Sequence, residues 1–196
     1  ATPQHGIRMG NPDAPIKITE FGSYTCSHCA DFSKASHDPL EKDYVNTGKV
    51  AFEYRNYIRD PIDMSVALLA RCSGPEAFFP LSKAFFENQA AIFEKIQAAG
   101  QPAYEAAMGA APGERFVKLA EMAGLIEFAM QRGLPEAKAR QCLADSKNAE
   151  TLAKGVEDAT KQFDIQGTPT ILMNGTKLDN VATWDLLAER PKAAGA

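Results

Sequence analysis

The sequence predicts an α/β fold in which a helical block interrupts a small sheet. Three observations support this prediction: a strand–helix–strand pattern near the start, about eighty residues with helical periodicity in the middle, and a strand–hairpin–helix pattern at the end. We therefore expect a sheet domain over residues 1–62 plus 148–196, and an inserted helical domain over 63–147.

The N-terminal pattern contains two strands and one helix. The segment PIKITEF (15–21) alternates apolar and polar residues, which predicts a strand. A helical pattern follows from Cys26 to about Asn46, with Pro39 expected to bend or restart it. A second strand is predicted over 48–57. Because a helix connects the two strands, we expect them to be parallel.

The rest of the chain is predicted to be helical up to a final hairpin. Apolar residues at three-to-four spacing predict helices over Ile62–Cys72, Pro75–Ile96, Gln101–Met108, Gly113–Arg132, Pro135–Leu143 and Ala149–Phe163, with Pro135 in the first helical position. The C-terminal elements are a strand at Pro169–Met173, an Asn174–Gly175 turn with a short return strand, and a helix over 182–190.

Composition excludes two classes of function. The chain has 196 residues, a net charge of −4 and no cluster of Lys and Arg, so we expect no binding to nucleic acid or to an anionic membrane surface. Its first residues, ATPQHG, contain neither an initiator Met nor a basic and apolar leader. Such a start is typical of an exported protein after removal of its signal peptide, and a trimmed chain has the same start.

Cys26 and Cys29 lie where a predicted strand gives way to a helix. A sulfur at a helix N-terminus faces unpaired N–H groups, which favour its thiolate and lower its pKa. We therefore expect Cys26 to be the nucleophile and the more buried Cys29 to resolve the mixed disulfide. His28, between them, would add positive charge or a hydrogen bond to the Cys26 thiolate.

Two other interpretations of this cysteine pair are half of a zinc site and an inert structural bridge. Zinc needs two further ligands, usually a second close pair. Cys72 and Cys142 are seventy residues apart, and His5 and His37 are isolated. The spacing therefore favours redox chemistry, with no metal and no cofactor beyond the cysteine pair itself.

Glu20 is a candidate for proton transfer. By strand alternation it shares a face with Ile16 and Ile18, six residues before Cys26. A carboxyl group on an apolar face is expected to be partly buried and to have a raised pKa. It would then accept or relay the proton of the Cys29 thiol. The alternative is a carboxylate in water at the end of the strand.

Two segments give the chain its family resemblance. ITEFGSYTCSHCADF (18–32) and IQGTPTILMNG (165–175), together with the helical insertion, resemble the DsbA-like thiol:disulfide oxidoreductases. The resemblance implies a thioredoxin fold with a large helical insertion, a nucleophilic Cys26 and a resolving Cys29. It also implies that Thr168 and Pro169 face the disulfide, with Pro169 in the cis form.

The resemblance further implies a physiological role. The protein is expected to be a periplasmic monomer that introduces disulfide bonds into reduced or unfolded exported proteins. A membrane quinone reductase of the DsbB type would reoxidise it. A stabilised Cys26 thiolate favours the reduced enzyme, and this makes its disulfide the better oxidant.

Two positions depart from the best-known members of that family. Ser27 replaces the proline between the cysteines, and Thr168 replaces the valine before the cis-proline. Thr at the latter position is more typical of isomerases and reductants, whereas His28 matches the oxidising branch. A disulfide isomerase or reductant of the same fold therefore remains an alternative.

Three more residues complete the predicted sites. Cys72 and Cys142 each fall in a predicted helix of the insertion, and some DsbA-like proteins carry a second, non-catalytic bridge there. We expect this bridge, with two buried thiols as the alternative. Met173, close to Pro169 in sequence, is expected to line the surface beside the active site, where an extended peptide would lie along the Thr168 backbone.

Overall fold

The computed structural model describes residues 1–195. In these residues the strands are β1 Ile7–Met9, β2 Ile16–Gly22, β3 Val50–Asn56, β4 Thr170–Met173 and β5 Thr176–Lys177. The α-helices are α1 Ser27–Pro39, α2 Pro61–Cys72, α3 Pro75–Glu87, α4 Gln89–Ala99, α5 Gln101–Met108, α6 Pro112–Met122, α7 Leu125–Met130, α8 Glu136–Leu143, α9 Ser146–Phe163 and α10 Trp184–Ala193. A π-helix, Leu40–Val45, follows α1 directly.

The five strands form one sheet in the order β1-β3-β2-β4-β5. β2 and β3 are parallel, in register from Ile16 opposite Val50 to Gly22 opposite Asn56, and the other pairings are antiparallel. The first half is therefore the predicted βαβ unit, and β4, β5 and α10 form the predicted ββα unit. The predicted fold class, a thioredoxin fold with a large helical insertion, is confirmed.

The chain divides into two compact units. The sheet unit contains Ala1–Tyr57 together with the described residues from Gly155 onward, and the helical unit contains Ile58–Lys154. The two units thus meet after residues 57 and 154, whereas the sequence pattern predicts domain boundaries after residues 62 and 147.

In the sheet unit, β2 is the strand that carries the active-site end of the fold. Every residue of β2 except Lys17 is buried, because neighbouring strands lie on both sides and apolar side chains pack on its faces. Phe21 packs with Ala159, Ile165 and Leu172. This packing fixes the position of the end of β2, just before the loop that leads to Cys26.

In the helical unit, α2 is the central element. It is buried from Ile62 to Ala70 and packs against α3, α6, α7 and α8. Cys72, the last residue of α2, and Cys142 of α8 form a disulfide. This covalent bond joins two helices that are far apart in sequence.

Several element boundaries differ from the predicted ones. The edge strand β1 was not predicted, since three residues are too few to give an alternating pattern. The predicted helix over 75–96 is two helices separated at Asn88, and the one over 113–132 divides at Gly124, whose left-handed φ of 68° ends α6. Pro135 is the N-cap of α8 and not its first residue.

Candidate active site

Cys26 is the residue at which strand β2 is converted into helix α1. It is the N-cap of α1, with an extended backbone, and its carbonyl oxygen accepts the Ala30 N–H at 3.1 Å. Its own N–H donates to the Ser23 carbonyl at 3.2 Å. The Cys26 side chain therefore sits at the positive end of the helix dipole, as the sequence pattern predicts.

The two cysteines are in the dithiol form and differ in access to solvent. Cys26 is 4% exposed, whereas Cys29 is fully buried. The hydrogen bond to Cys26, followed by burial and by the charge of Glu20, raises the pKa of the Cys29 thiol. Cys29 thus retains its proton, and Cys26 is the sulfur that an approaching sulfur atom can reach.

The loop before β4 lies opposite Cys26. The Thr168–Pro169 peptide bond is cis, and the Cys26 thiol donates a hydrogen bond to the Thr168 carbonyl at 3.3 Å. Antiparallel pairing of Thr170 with Phe21 holds this loop at the end of β2. The structure therefore brings together Cys26, Thr168 and Pro169, which are more than 140 residues apart in sequence.

Glu20 lies inside the protein at the same end of β2. It is 4% exposed, and burial, followed by the charge of Cys26, raises the pKa of its carboxyl group to about 8. Its Oε1 has no hydrogen-bond partner among the described residues. A group of this pKa can both take and release a proton near neutral pH.

Ser27 and His28 occupy the first turn of α1 and are exposed. His28 lies on the rim of a groove of about 240 Å³ within the sheet unit, formed between α1 and the start of α10. The other residues lining this groove are Asp31, Phe32, Ala35, Ala182, Thr183, Trp184 and Asp185.

Met173 does not lie beside the cysteines. It pairs with Ile18, near the start of β2, whereas the active site is at the other end of that strand. Because β4 runs away from Pro169 at ~3.4 Å per residue, the fourth residue of the strand is carried well away from the site. Proximity in sequence was misleading here, and the expectation that Met173 lines the active-site surface is wrong.

Side chains of the kinds that ligate metals do not cluster in the described residues. In residues 1–195 no group of three or more His, Cys, Asp or Glu side chains is arranged to hold a metal ion. The two remaining cysteines, Cys72 and Cys142, are already bonded to each other.

None of the described helices combines the length and the apolar character needed to cross a membrane.

A thioredoxin family model matches residues 2–189. The chain belongs to the thioredoxin family. Within it, a crystal structure of a protein-disulfide isomerase from Novosphingobium aromaticivorans has 32% identity and a TM-score of 0.90, and the match covers 96% of both chains. The structure of alpha-DsbA1 from Wolbachia pipientis has a TM-score of 0.77 at 20% identity, over 98% of this chain and 92% of that one. The DsbA-like fold is therefore confirmed.

Relatives of the thioredoxin family are also found by sequence. A Rickettsia bellii protein named as a protein-disulfide oxidoreductase is 27% identical over 190 residues, which is 97% of this chain. The chain spans 65% of the length of that relative. The relatives' names thus agree with the predicted class of enzyme, and the predicted resemblance is confirmed.

Sequence reasoning missed two neighbours of Glu20. Tyr54 is its register partner on β3, and Gly22 is the residue two positions later on β2. Strand alternation assigns a face within each strand, but the register between two strands is not readable from either one. The sequence shows a tyrosine in the second predicted strand, but only the pairing of β2 with β3 reveals that this tyrosine lies beside Glu20.

Proposed function

We propose that this protein is a thiol:disulfide oxidoreductase that introduces disulfide bonds into exported proteins. The observation that carries the proposal is the position of the Cys26 sulfur. It lies at the N-terminus of α1, 3.3 Å from the carbonyl oxygen of Thr168 before a cis-proline. Cys29 lies one turn further along the same helix, fully buried.

In the oxidised enzyme Cys26 and Cys29 form a disulfide, and a substrate thiolate attacks the Cys26 sulfur. The bond between the cysteines breaks, and Cys29 leaves as a thiolate that takes a proton from the Glu20 carboxyl group. A second substrate thiolate then attacks the substrate sulfur of the mixed disulfide and releases Cys26 as a thiolate. The substrate loses two electrons and two protons, and the cysteine pair holds both electrons, so no other cofactor takes part.

Reoxidation uses the same groups in the opposite order. The Cys26 thiolate attacks an incoming disulfide, forms a mixed disulfide with one of its sulfurs and expels the other as a thiolate. Cys29 then gives its proton to the Glu20 carboxylate and attacks the Cys26 sulfur, which restores the internal disulfide and expels the second sulfur of the oxidant as a thiolate. Glu20 is thus the acid in one half-reaction and the base in the other. Its pKa of about 8 suits both tasks.

Peptide substrates are proposed to bind in an extended form along the Thr168 backbone. In the dithiol form the Thr168 carbonyl accepts the Cys26 thiol. Once Cys26 is bonded to a substrate sulfur, that thiol proton is gone and the carbonyl can accept a peptide N–H instead. Main-chain pairing of this kind reads many sequences loosely, as a general oxidant requires.

The setting of the reaction follows from its chemistry. An oxidant of protein thiols works where disulfides persist, so we propose an exported protein of the bacterial periplasm that acts as a monomer. A membrane-bound reoxidant of the DsbB type would return it to the disulfide form. His28, exposed beside Cys26, and Ser27 are proposed to tune the redox potential.

Disulfide isomerisation is the second candidate function. Two observations favour it: Thr168 stands before the cis-proline, and the Novosphingobium aromaticivorans structure is described as a protein-disulfide isomerase. An isomerase acts in the dithiol form, because a free Cys26 thiolate must attack the wrong disulfide of a substrate, whereas an oxidase acts in the disulfide form.

Equilibration of the Cys26–Cys29 pair with glutathione tests the proposal. We expect a potential close to the value of about −120 mV of DsbA, with rapid oxidation of a reduced protein substrate. A potential near the thioredoxin value of about −270 mV would reject the oxidase. Activity of the dithiol form on scrambled disulfides, without net oxidation of a reduced protein substrate, would instead establish the isomerase. Failure to exchange disulfides with any protein substrate would reject both.

A further inference from the structure

Tyr54 and Glu20 share one small space above the backbone of Gly22. Tyr54 is opposite Glu20 in the parallel β2–β3 pair, and it is 3% exposed. A Cβ atom placed on Gly22 would lie 2.9 Å from Glu20 Oε1 and 2.9 Å from the Tyr54 hydroxyl oxygen. The two oxygens are therefore no further apart than twice that distance, and glycine is the residue that leaves the space between them open.

The buried Glu20 carboxylate needs a hydrogen-bond donor in this space. Ionising a buried carboxyl group that has no hydrogen-bond donor is unfavourable, and Oε1 has no hydrogen-bond partner among the described residues of the dithiol form. Cys26, the N-cap of α1, opposes the ionisation of Glu20, and Glu20 in turn raises the pKa of Cys29 in the first turn of that helix. On the other side its register partner on β4 is Ile171, which carries no charge.

β3 contributes two buried side chains with donor groups to this face, Tyr54 and Asn56, and the Tyr54 hydroxyl lies as near the space over Gly22 as Glu20 Oε1 does. Glu53 and Arg55, the neighbours of Tyr54, alternate to the other face of the sheet, where the Arg55 guanidinium donates to Glu53 at 2.9 and 3.1 Å. The final torsion of a glutamate is broad, so a carboxylate at position 20 can turn toward the hydroxyl group.

We propose that Tyr54 is a positioning residue whose phenol O–H donates a hydrogen bond to the ionised Glu20 across the space kept open by Gly22. The inference rests on the proposed function, because it assigns Tyr54 a part in the proton transfer between Glu20 and Cys29. Tyr54 acts through Glu20 and touches no substrate.

The proposal has a defined consequence for the proton transfer. When Cys29 closes on a mixed disulfide at Cys26, its S–H proton moves to the Glu20 carboxylate, and the new S–S bond expels the other thiolate. A donor to the carboxylate lowers the pKa of Glu20, and loss of the donor raises it. With a higher pKa, less of the enzyme holds Glu20 as a base at neutral pH.

The test follows closure of a mixed disulfide between Cys26 and glutathione, monitored by the loss of bound glutathione in acid-quenched samples. The rate is measured at pH values on both sides of 8 in the wild type and in Tyr54→Phe. We expect the midpoint of the profile to move up by about one pH unit, so that closure is about tenfold slower below the midpoint and equal well above it. Tyr57→Phe is the matched control, since its hydroxyl bonds Thr160 at 2.8 Å and not Glu20; its midpoint should stay at the wild-type value.

A second measurement does not depend on exchange at all. The carboxyl carbon of Glu20 is titrated by NMR in the dithiol enzyme, and its pKa should rise in Tyr54→Phe and also in Gly22→Ala, where a methyl group enters the space. If Tyr54→Phe does not fold, Gly22→Ala decides the question.

Superimposable profiles in wild type and Tyr54→Phe, or a loss by the same factor at every pH, would overturn the proposal, as would an unchanged Glu20 titration. In a Glu20→Gln background the Tyr54 substitution should move no midpoint, and a shift there would also contradict it. Failure of the proposed function gives a different result: the wild type then oxidises no protein substrate, while the Glu20 titration still responds to Tyr54.

Discussion

Two cysteine pairs in this chain have the same atoms and different surroundings. Cys26 and Cys29 form a dithiol at the N-terminus of a helix, with the buried carboxyl group of Glu20 nearby. Cys72 and Cys142 are joined in a disulfide between two helices of the helical unit, with 70 residues between them. A pair that gives its disulfide away must be more stable as a dithiol, whereas a pair that braces the fold must be more stable as a disulfide. The surroundings of the sulfur atoms, and not the cysteines themselves, decide which applies.

The largest expected difference between the two pairs is in turnover. Cys26→Ala removes the sulfur that we propose forms every mixed disulfide, so we expect oxidation of a reduced protein substrate to fall to the uncatalysed rate. The double variant Cys72→Ala/Cys142→Ala should keep most of the wild-type rate. The measurement is the rate of substrate disulfide formation with a low-molecular-weight disulfide as the final oxidant. Similar losses in both variants would contradict the division of labour between the pairs.

The second expected difference is in stability. In the chain-entropy treatment of cross-links, opening a loop of about seventy residues costs ~4 kcal/mol of unfolding free energy. We therefore expect Cys72→Ala/Cys142→Ala to lower the free energy of unfolding in urea by about that amount. Reduction of Cys26–Cys29 alone should increase the stability. If the reduced wild type proves less stable than the form with an intact Cys26–Cys29 disulfide, this pair is not an oxidant.

The third prediction concerns the carboxyl group that distinguishes the first pair from the second. The pKa of Glu20 is about 8 in the folded dithiol form, against an ordinary value of 4.5 for a glutamate in water. Between pH 4.5 and about pH 8 the folded protein therefore keeps a proton on Glu20 that the unfolded chain has lost. Its contribution to stability is complete below about pH 4.5 and is lost as pH rises through about 8. At pH 7 the free energy of unfolding is about 3 kcal/mol lower on this account than it is below pH 4.5.

Glu20→Gln removes this dependence on pH. Unfolding of the reduced protein in urea should show wild-type stability falling from pH 5 to about pH 8, with a flatter curve for the variant. Asp31→Asn is a matched control, because Asp31 lies exposed on the same helix as Cys29. Equal slopes for Glu20→Gln and the wild type would show that Glu20 is ionised throughout this range.

The features of the site that the sequence predicts are those that depend on a short segment of chain. The strand-to-helix position of Cys26 and the apolar face that carries Glu20 are properties of short segments, and both were predicted. The place of Met173 and the neighbourhood of Tyr54 depend on strand register, which is set by packing between distant segments. The division of a long helical pattern at Asn88 was missed for a different reason, because no Gly or Pro marks it.

The smallest expected effect separates tuning of the first pair from stabilisation of the fold. Ser27 is the first residue of α1 and is exposed, so Ser27→Pro suits the backbone and should change the stability of the oxidised form by less than about 0.5 kcal/mol. Proline fixes the first helical turn beneath the Cys26 sulfur and so favours its thiolate. We expect the glutathione equilibrium to become more oxidising by about 30 mV, which is about 1.4 kcal/mol.

A thermodynamic cycle checks this last prediction without any assay of activity. Because the unfolded chain has no helix N-terminus, its cysteines should not respond to the substitution. The reduced form of Ser27→Pro must therefore gain, relative to the oxidised form, the same free energy of unfolding that the potential change reports. Equal changes in both redox forms would mean that the introduced proline stabilises the helix and leaves the sulfur unaffected. The Cys72–Cys142 bridge, which lies in neither α1 nor its first turn, should contribute the same stability in both proteins.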